Sequence, residues 1–400
     1  MSPSLDYRHT VRASMIACAC QAIVVMFAPL LFLTFHETYG ISLAQIGWLV
    51  TLNFCTQLAV DFLCARFASR VRYRPAILWA HALCAAGLVA QGVLPDLCPA
   101  PYLGLCAAVM LYSVGAGLLE VVVSPIVEAC PTDGKAAYMS LLHSFYCWGC
   151  VGVIVLSNLL FRMVGLAHWR LISLLWALVP ALNFLYLRMV PINQLVPEGQ
   201  SMGFGALFRN KLFWCAMLLM ICAGAAEQAI EQWSSAYTEA ALGLSKRYCD
   251  LVGPCVFAAL MGLARVFHGH YAERLNLRRY MGGSAVLTLA GYLLCGVAHA
   301  PFAGLLGCAL CGLGVGVMWP GVLSLAAEGC PRGGTAMFAL LALAGDVGCS
   351  SGPTLVGCLA TACGDDLRRA LLFAALFPAL LLLVLWRLPA KPAINSQSGT

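Results

Sequence analysis

Charge is what this 400-residue chain has least of: Asp, Glu, Lys and Arg together make 10% of it, while 62% is hydrophobic. An ordinary soluble domain carries about 25% charged residues, so the scarcity excludes a soluble globular domain and leaves an integral membrane protein. No GxxxxGK[ST] loop occurs, which argues against ATP-driven pumping. No nucleophile–base or metal-ligand pattern occurs either, so no enzyme activity, cofactor or metal is expected. Long polar stretches are missing too, and the polar ends are too short for the output domain of a membrane sensor. The net charge of +6 is spread over many short loops, a pattern of topology rather than of nucleic-acid binding.

Apolar runs, by contrast, are abundant. A helix needs about 20 apolar residues to cross a bilayer, and twelve such runs occur, near 14–35, 43–63, 75–94, 102–126, 138–160, 168–188, 211–236, 250–268, 280–298, 302–326, 335–361 and 368–387. The first is too long, and lacks the small-residue cleavage site, for a removable signal. With both termini cytoplasmic, sixteen of the 23 Lys and Arg fall in inner loops and six in outer ones, the asymmetry that basic loops impose on topology. The expected location is therefore a cytoplasmic membrane. Most of the 21 cysteines lie inside apolar runs, where Cys acts as a small hydrophobe. The pairs in CWGC (147–150) and CALC (308–311) have redox spacing, yet each falls within a span. Trp48 and Trp169, near span ends, read as interfacial anchors.

The chain also repeats itself. EACPTDG (128–134) returns as EGCPRGG (328–334), and DFLCARFASRVR (61–72) aligns in position with GHYAERLNLRRY (269–280). Residues 1–190 and 211–400 are thus two copies of a six-helix unit joined by the polar, Pro- and Gly-containing linker 191–210.

At these points the chain resembles the major facilitator superfamily, whose inner-loop signature is matched by Gly269, Glu273, Arg274, Arg278 and Arg279 and, more loosely, by Arg66 and Arg70. The resemblance implies an all-α membrane fold of twelve helices in two pseudo-symmetric bundles. Such a loop can pair its arginines with a carboxylate at a neighbouring helix end. Glu128 and Glu328, one per repeat, are the expected partners in an inner gate. GLLEVVVSP (117–125) further resembles the helix 4 signature of the fucose-proton symporter subfamily at Gly117, Glu120 and Pro125, with Ser124 in the asparagine position. In LLHSFYCWGCVG (141–152), His143, Phe145 and Gly149 match that subfamily's helix 5, whereas the first span holds Gln21 and no carboxylate. The resemblance implies proton coupling at Glu120.

A carboxylate at mid-membrane depth costs about 2.5–3.5 kcal/mol on insertion scales and usually faces a cavity with a function. Glu120, Glu227 and Asp346 are the candidates for proton coupling. On helix 7, Glu227, Glu231, Ser234 and Thr238 share one side with Gln228 and Gln232 beside them, and Trp233 and Tyr237 point the other way. Two carboxylates one turn apart require a proton or a cation for one of them. The candidate substrate-binding set is Gln21, Asn53, Gln57, His143, Tyr146, Gln228, Glu231, Trp233 and Trp319. Asp61, five residues before the basic loop, reads as a structural residue of the inner end, and Arg265 as lying near an inner helix end. These features predict a monomeric secondary transporter moving a sugar or similar solute with protons across the lipid bilayer. Proton-driven export of amphipathic compounds and a non-transporting sensor are the alternatives.

Overall fold

The computed structural model describes residues 5–196, 202–242, 246–297, 300–364 and 366–388. Part of the linker, residues 197–201, and the tail from 389 onward, including Lys391, lie outside the described residues.

The chain is all helix among the described residues, and its long helices follow the apolar runs. They are α1 (Tyr7–Phe27, resuming as Phe32–Tyr39), α2 (Leu43–Arg66), α3 (Tyr73–Leu97), α4 (Pro101–Glu128), α5 (Lys135–Val164) and α6 (Trp169–Met189) in the first half. The second half has α7 (Lys211–Leu242), α8 (Lys246–Tyr271), α9 (Leu277–Val297), α10 (Pro301–Val315, resuming as Met318–Gly329), α11 (Gly334–Ala362) and α12 (Leu367–Ala374, resuming as Leu376–Arg387). Eleven spans among the described residues are long and apolar enough to cross a membrane. The twelfth expected span falls on α8, whose first turns have no described side chains.

Local chemistry sets the helix boundaries. Asp6 accepts the Arg8 and His9 amides at the start of α1, and a reciprocal Ser42–Gln45 capping box opens α2. The repeated EACPTDG/EGCPRGG ending has a physical cause in Gly134 (φ 70°) and Gly334 (φ 56°). Both take the left-handed conformation that lets α4 turn into α5 and α10 into α11. Lipid supplies no hydrophobic drive between helices, so close contact through small residues holds them together. The tightest approach is between α7 and α11, where a Cβ on Gly224 would stand 2.3 Å from the Gly345 carbonyl and one on Gly348 would stand 2.2 Å from that of Ile221. Glu227 on α7 and Asp346 on α11 both line the cavity described below.

The two halves meet along α2 with α11, α4 with α11, and α5 with α8 and the second piece of α10. At the N-terminal end of the bundle the seam is closed by polar contacts between the halves. Thr335 Oγ1 bonds Tyr73 Oη at 3.0 Å, and Ser140 Oγ bonds His268 Nδ1 at 2.7 Å. The opposite end opens into the cavity described below.

Trp169 departs from its expected role. It is 1% exposed and packs edge-on against Phe35 (5.3 Å), with the Arg170 guanidinium 5.0 Å from its ring. Its indole fills the joint between α1 and α6 rather than meeting lipid, whereas Trp48 is 66% exposed on the bundle surface.

Candidate functional site

A cavity of about 400 Å³ runs from the open end to mid-bundle between the halves. That lies within the range of about 300–1,000 Å³ usual for small-molecule sites. Its mouth is apolar, with Phe32, Phe35, Leu49, Val50, Leu105 and Val109 from the outer turns of α1, α2 and α4. Its foot is polar: Gln21, Asn53, Gln57, Glu120, His143 and Tyr146 from the first half face Glu227, Gln228, Glu231, Gln232, Arg265, Trp319 and Asp346 from the second. A second groove of about 930 Å³ lies on the flank of α8 and α9 beside Arg274, Asn276 and Arg279, away from this polar foot.

Two acidic groups stand at the foot, the second including Asp61 behind the lining. In the first, Arg265 from α8 reaches Glu227 Oε2 at 3.2 Å, with both residues buried. The same guanidinium donates to the Gly316 carbonyl (2.8 Å), the His143 carbonyl (3.0 Å) and Cys147 Sγ (3.1 Å), so it bridges α7, α10 and the first-half helix α5. Arg265 is the cation that the paired carboxylates of α7 call for. It lies 2% exposed inside the site, within two turns of the end of α8. Glu231 is held separately, accepting from Gln228 Nε2 at 2.6 Å.

The second group is Asp61 from α2, Glu120 from α4 and Asp346 from α11, each offering a carboxylate oxygen within 4.8 Å of the others. Gln21 Nε2 donates to Glu120 Oε2 at 3.1 Å. Asp61, expected as a structural residue of the inner end, is fully buried, and its α2 register turns it inward against Glu120 and Asp346. The basic loop that suggested an inner-end role begins on the next turn, one face away.

Other expected residues divide. Ser124, standing where the subfamily signature has asparagine, bonds His143 Nε2 at 3.2 Å, which joins the two motifs. Asn53 Oδ1 accepts from Ser113 at 2.7 Å, and Gln57 is buried in the cavity wall. Trp319 lines the cavity with its ring against Gly345, where a Cβ would fall 2.2 Å from the indole. Trp233 does not reach the cavity. Its indole N–H is spent on the Pro353 carbonyl (3.0 Å), and Tyr237 bonds the Cys295 carbonyl (2.7 Å), so both aromatics of α7 pack on neighbouring helices.

Of the expected gate residues, Glu128 has a partner other than the one expected. Glu128 pairs with Lys135 at 3.7 Å, across its own tight turn, instead of with a loop arginine. Arg66 and Arg70 lie 5.5 and 5.7 Å from the Phe67 ring, and Arg278 donates to the Trp386 carbonyl at 3.0 Å. Glu273 instead crosses the seam: its Oε1 lies 3.0 Å from where a Cβ of Gly134 would stand, beside the N-terminus of α5, whose dipole favours a negative charge. Glu328 stands in the last turn of α10, with Arg274 in the short turn after α8.

The comparisons with known proteins decide the family. The Major Facilitator Superfamily model matches residues 13–353 and again 252–400. The chain belongs to the major facilitator superfamily. It is accordingly a multi-pass membrane transporter of that superfamily and not an enzyme. The curated membrane protein MosC of Rhizobium meliloti is 26% identical over 273 residues, 67% of this chain and 64% of that protein, so the match spans under two thirds of the relative's length. Among solved structures, the major facilitator transporter FucP in its outward conformation is similar at a TM-score of 0.80 and 14% identity, covering 94% of this chain and 97% of that one. The proton:xylose symporter XylE bound to 6-bromo-6-deoxy-D-glucose is similar at 0.79 and 12% identity, covering 95% of each. The human organic anion transporter MFSD10 is similar at 0.76 and 15% identity, covering 94% of this chain and 99% of that one. At these identities the likeness is one of fold.

Proposed function

We propose that the protein imports a sugar or similar small polar solute together with protons, by rocking its two six-helix halves about the cavity foot. With both termini cytoplasmic in an inner membrane, the open end of the cavity faces outward and the seam at Tyr73–Thr335 and Ser140–His268 closes the cytoplasmic side. The observation that carries this reading is the makeup of the foot: amides Gln21, Asn53, Gln57, Gln228 and Gln232 beside Trp319, with Glu120 and Asp346 at the joint between the halves. Amides and carboxylates supply the paired donors and acceptors that hydroxyl groups require, and an indole face suits the apolar side of a pyranose ring. Glu120 and Asp346 come from opposite halves and meet in this state, so a proton shared between them is lost or gained as the halves separate. Glu227 has its counter-ion in Arg265 and works as a substrate-side anchor through that pair, not as a free proton carrier. A monomer contains every element of this cycle.

The test is substrate-induced alkalinisation of lightly buffered cells expressing the protein, scanned over hexoses, pentoses and deoxy sugars with Glu120→Gln in parallel. One sugar is expected to draw protons in through the wild type, while Glu120→Gln still exchanges that sugar across the membrane and moves no protons. If no sugar moves protons with the protein present in the membrane, the reading fails. Transport then belongs to amphipathic organic compounds, for which the apolar mouth is the recognition surface.

A further inference from the structure

The carboxyl groups of Asp61, Glu120 and Asp346 form a cage that the coupling of a proton at Glu120 does not account for. Their oxygens lie within 4.8 Å of one another. Asp61 is 0% exposed and aimed into the cage, and neither of its oxygens accepts a hydrogen bond from a described donor outside it. Apart from hydrogen bonds that Asp346 shares with Asp61 and Glu120 inside the group, the described donor to it is Gln21, which serves Glu120. Around the cage stand Cys18 on α1, Cys64 on α2, Tyr146 on α5 and Cys349 on α11. These thiols and this phenol carry no positive charge. The cation in the neighbourhood, Arg265 on α8, is bound to Glu227 and three other acceptors.

We infer that Asp61, Glu120 and Asp346 bind one sodium-sized, hard monovalent cation, in exchange with a proton. Three oxygens within 4.8 Å of one another can close on a common centre at the distances of about 2.3–2.6 Å that suit a hard ion larger than magnesium. An all-oxygen donor set selects against zinc and copper. Calcium asks for about 6–8 oxygens, more than the one oxygen that each of the three carboxyl groups offers to the common centre. Charge balance fixes the exchange. The cage is neutral with three protons, or with two protons and one sodium ion, so each sodium bound releases one proton. Because Asp61 and Glu120 belong to the first half and Asp346 to the second, an occupant also fastens the halves at the closed end of the cavity. Its use in a transport cycle rests on the transport reading given above; its occupancy does not.

Purified full-length protein in detergent tests the site with sodium chloride as the probe and lithium, potassium, choline and calcium chlorides as comparisons. Sodium is expected to raise the Tm by several degrees over choline at pH 8, to lose that effect near pH 5.5, and to release protons into a lightly buffered solution containing a pH dye. Asp61→Asn and Asp346→Asn are each expected to abolish both responses. Equal Tm in sodium and choline at pH 8, with no proton release from folded wild type, overturns the inference without recourse to any variant. A response to calcium but not to sodium overturns the choice of a monovalent ion, and a sodium response that survives in a folded Asp61→Asn protein overturns the site. Should Asp61→Asn not fold, Glu120→Gln reads the same cage. Sugar-driven alkalinisation without a sodium response would leave the transport reading standing and remove only this site.

Discussion

Two buried acidic groups share the foot of one cavity, and they are neutralised in opposite ways. Glu227 has a guanidinium at 3.2 Å, and that guanidinium makes three further hydrogen bonds. Asp61, Glu120 and Asp346 have each other and one amide. The first arrangement is permanent, since Arg265 cannot lose its proton, and it ties α7, α8 and α10 to α5. The second depends on something that comes and goes. Two unit charges about 4 Å apart at an effective dielectric of about 20 repel by roughly 4 kcal/mol, so the cage exists only while small cations hold it. A transporter needs both kinds of acid, one to keep the site in shape and one to sense its load.

Arg265 is where the comparison breaks most visibly. Removing one partner of a buried ion pair costs about 3–5 kcal/mol because the other charge is left uncompensated, a large share of a total stability of roughly 5–15 kcal/mol. Arg265→Ala is therefore expected to lower Tm strongly and to give aggregated material on size exclusion. Adding Glu227→Gln should recover part of the loss, as a double-mutant cycle would show. If the double variant is no more stable than Arg265→Ala, the pair is not what holds the foot together.

The cage should respond with the opposite sign. In Asp346→Asn one of three repelling groups is gone while the shape is kept, so Tm measured without added sodium is expected to stay level or rise. A fall as large as that of Arg265→Ala would mean that the cage is a structural polar network like the first group, and the contrast between the two would disappear. Between these extremes lies Gly345. A methyl there would meet the Trp319 indole at 2.2 Å, and such overpacking costs about 1–3 kcal/mol. Gly345→Ala should shift tryptophan fluorescence and weaken substrate binding while leaving assembly intact; unchanged binding would take Trp319 out of the site.

What the sequence made legible follows from local patterns. Twelve apolar runs were enough for the all-helical membrane fold, because length is a local property, and the twinned EACPTDG/EGCPRGG ending marked two left-handed glycines for the same reason. Helix 7 was legible by periodicity, including the outward turn of Trp233, which by the same wheel did not belong among the cavity residues. The inward contacts of Asp61 and Arg265 were not legible, for one shared reason. Each lies within two turns of a helix end, and distance along the chain to a polar loop says nothing about which face of the helix points to the seam. The partners that settle them, Asp346 for Asp61 and Glu227 for Arg265, are 285 and 38 residues away, beyond the reach of any local pattern. The partner of Glu128 was missed similarly: Lys135 pairs with it across a turn whose tightness only Gly134 hinted at.

The smallest expected effect concerns the closed end of the seam, where no buried charge is involved. Tyr73 is 1% exposed and its hydroxyl meets Thr335 Oγ1 across the halves. Tyr73→Phe keeps the ring and removes that bond, worth about 0.5–1.5 kcal/mol. The loss falls on the closed state alone, since separating the halves breaks this bond in the wild type too. Opening should therefore become about fivefold easier, the factor that corresponds to about 1 kcal/mol. Hydrogen exchange at the first turns of α11 reads that opening directly, because exchange there tracks the free energy of local opening. Faster exchange in Tyr73→Phe with α6 unchanged would assign the seam at Tyr73–Thr335 to the gate. Equal exchange in both proteins would mean that the cage and the Arg265 bridge hold the end shut by themselves.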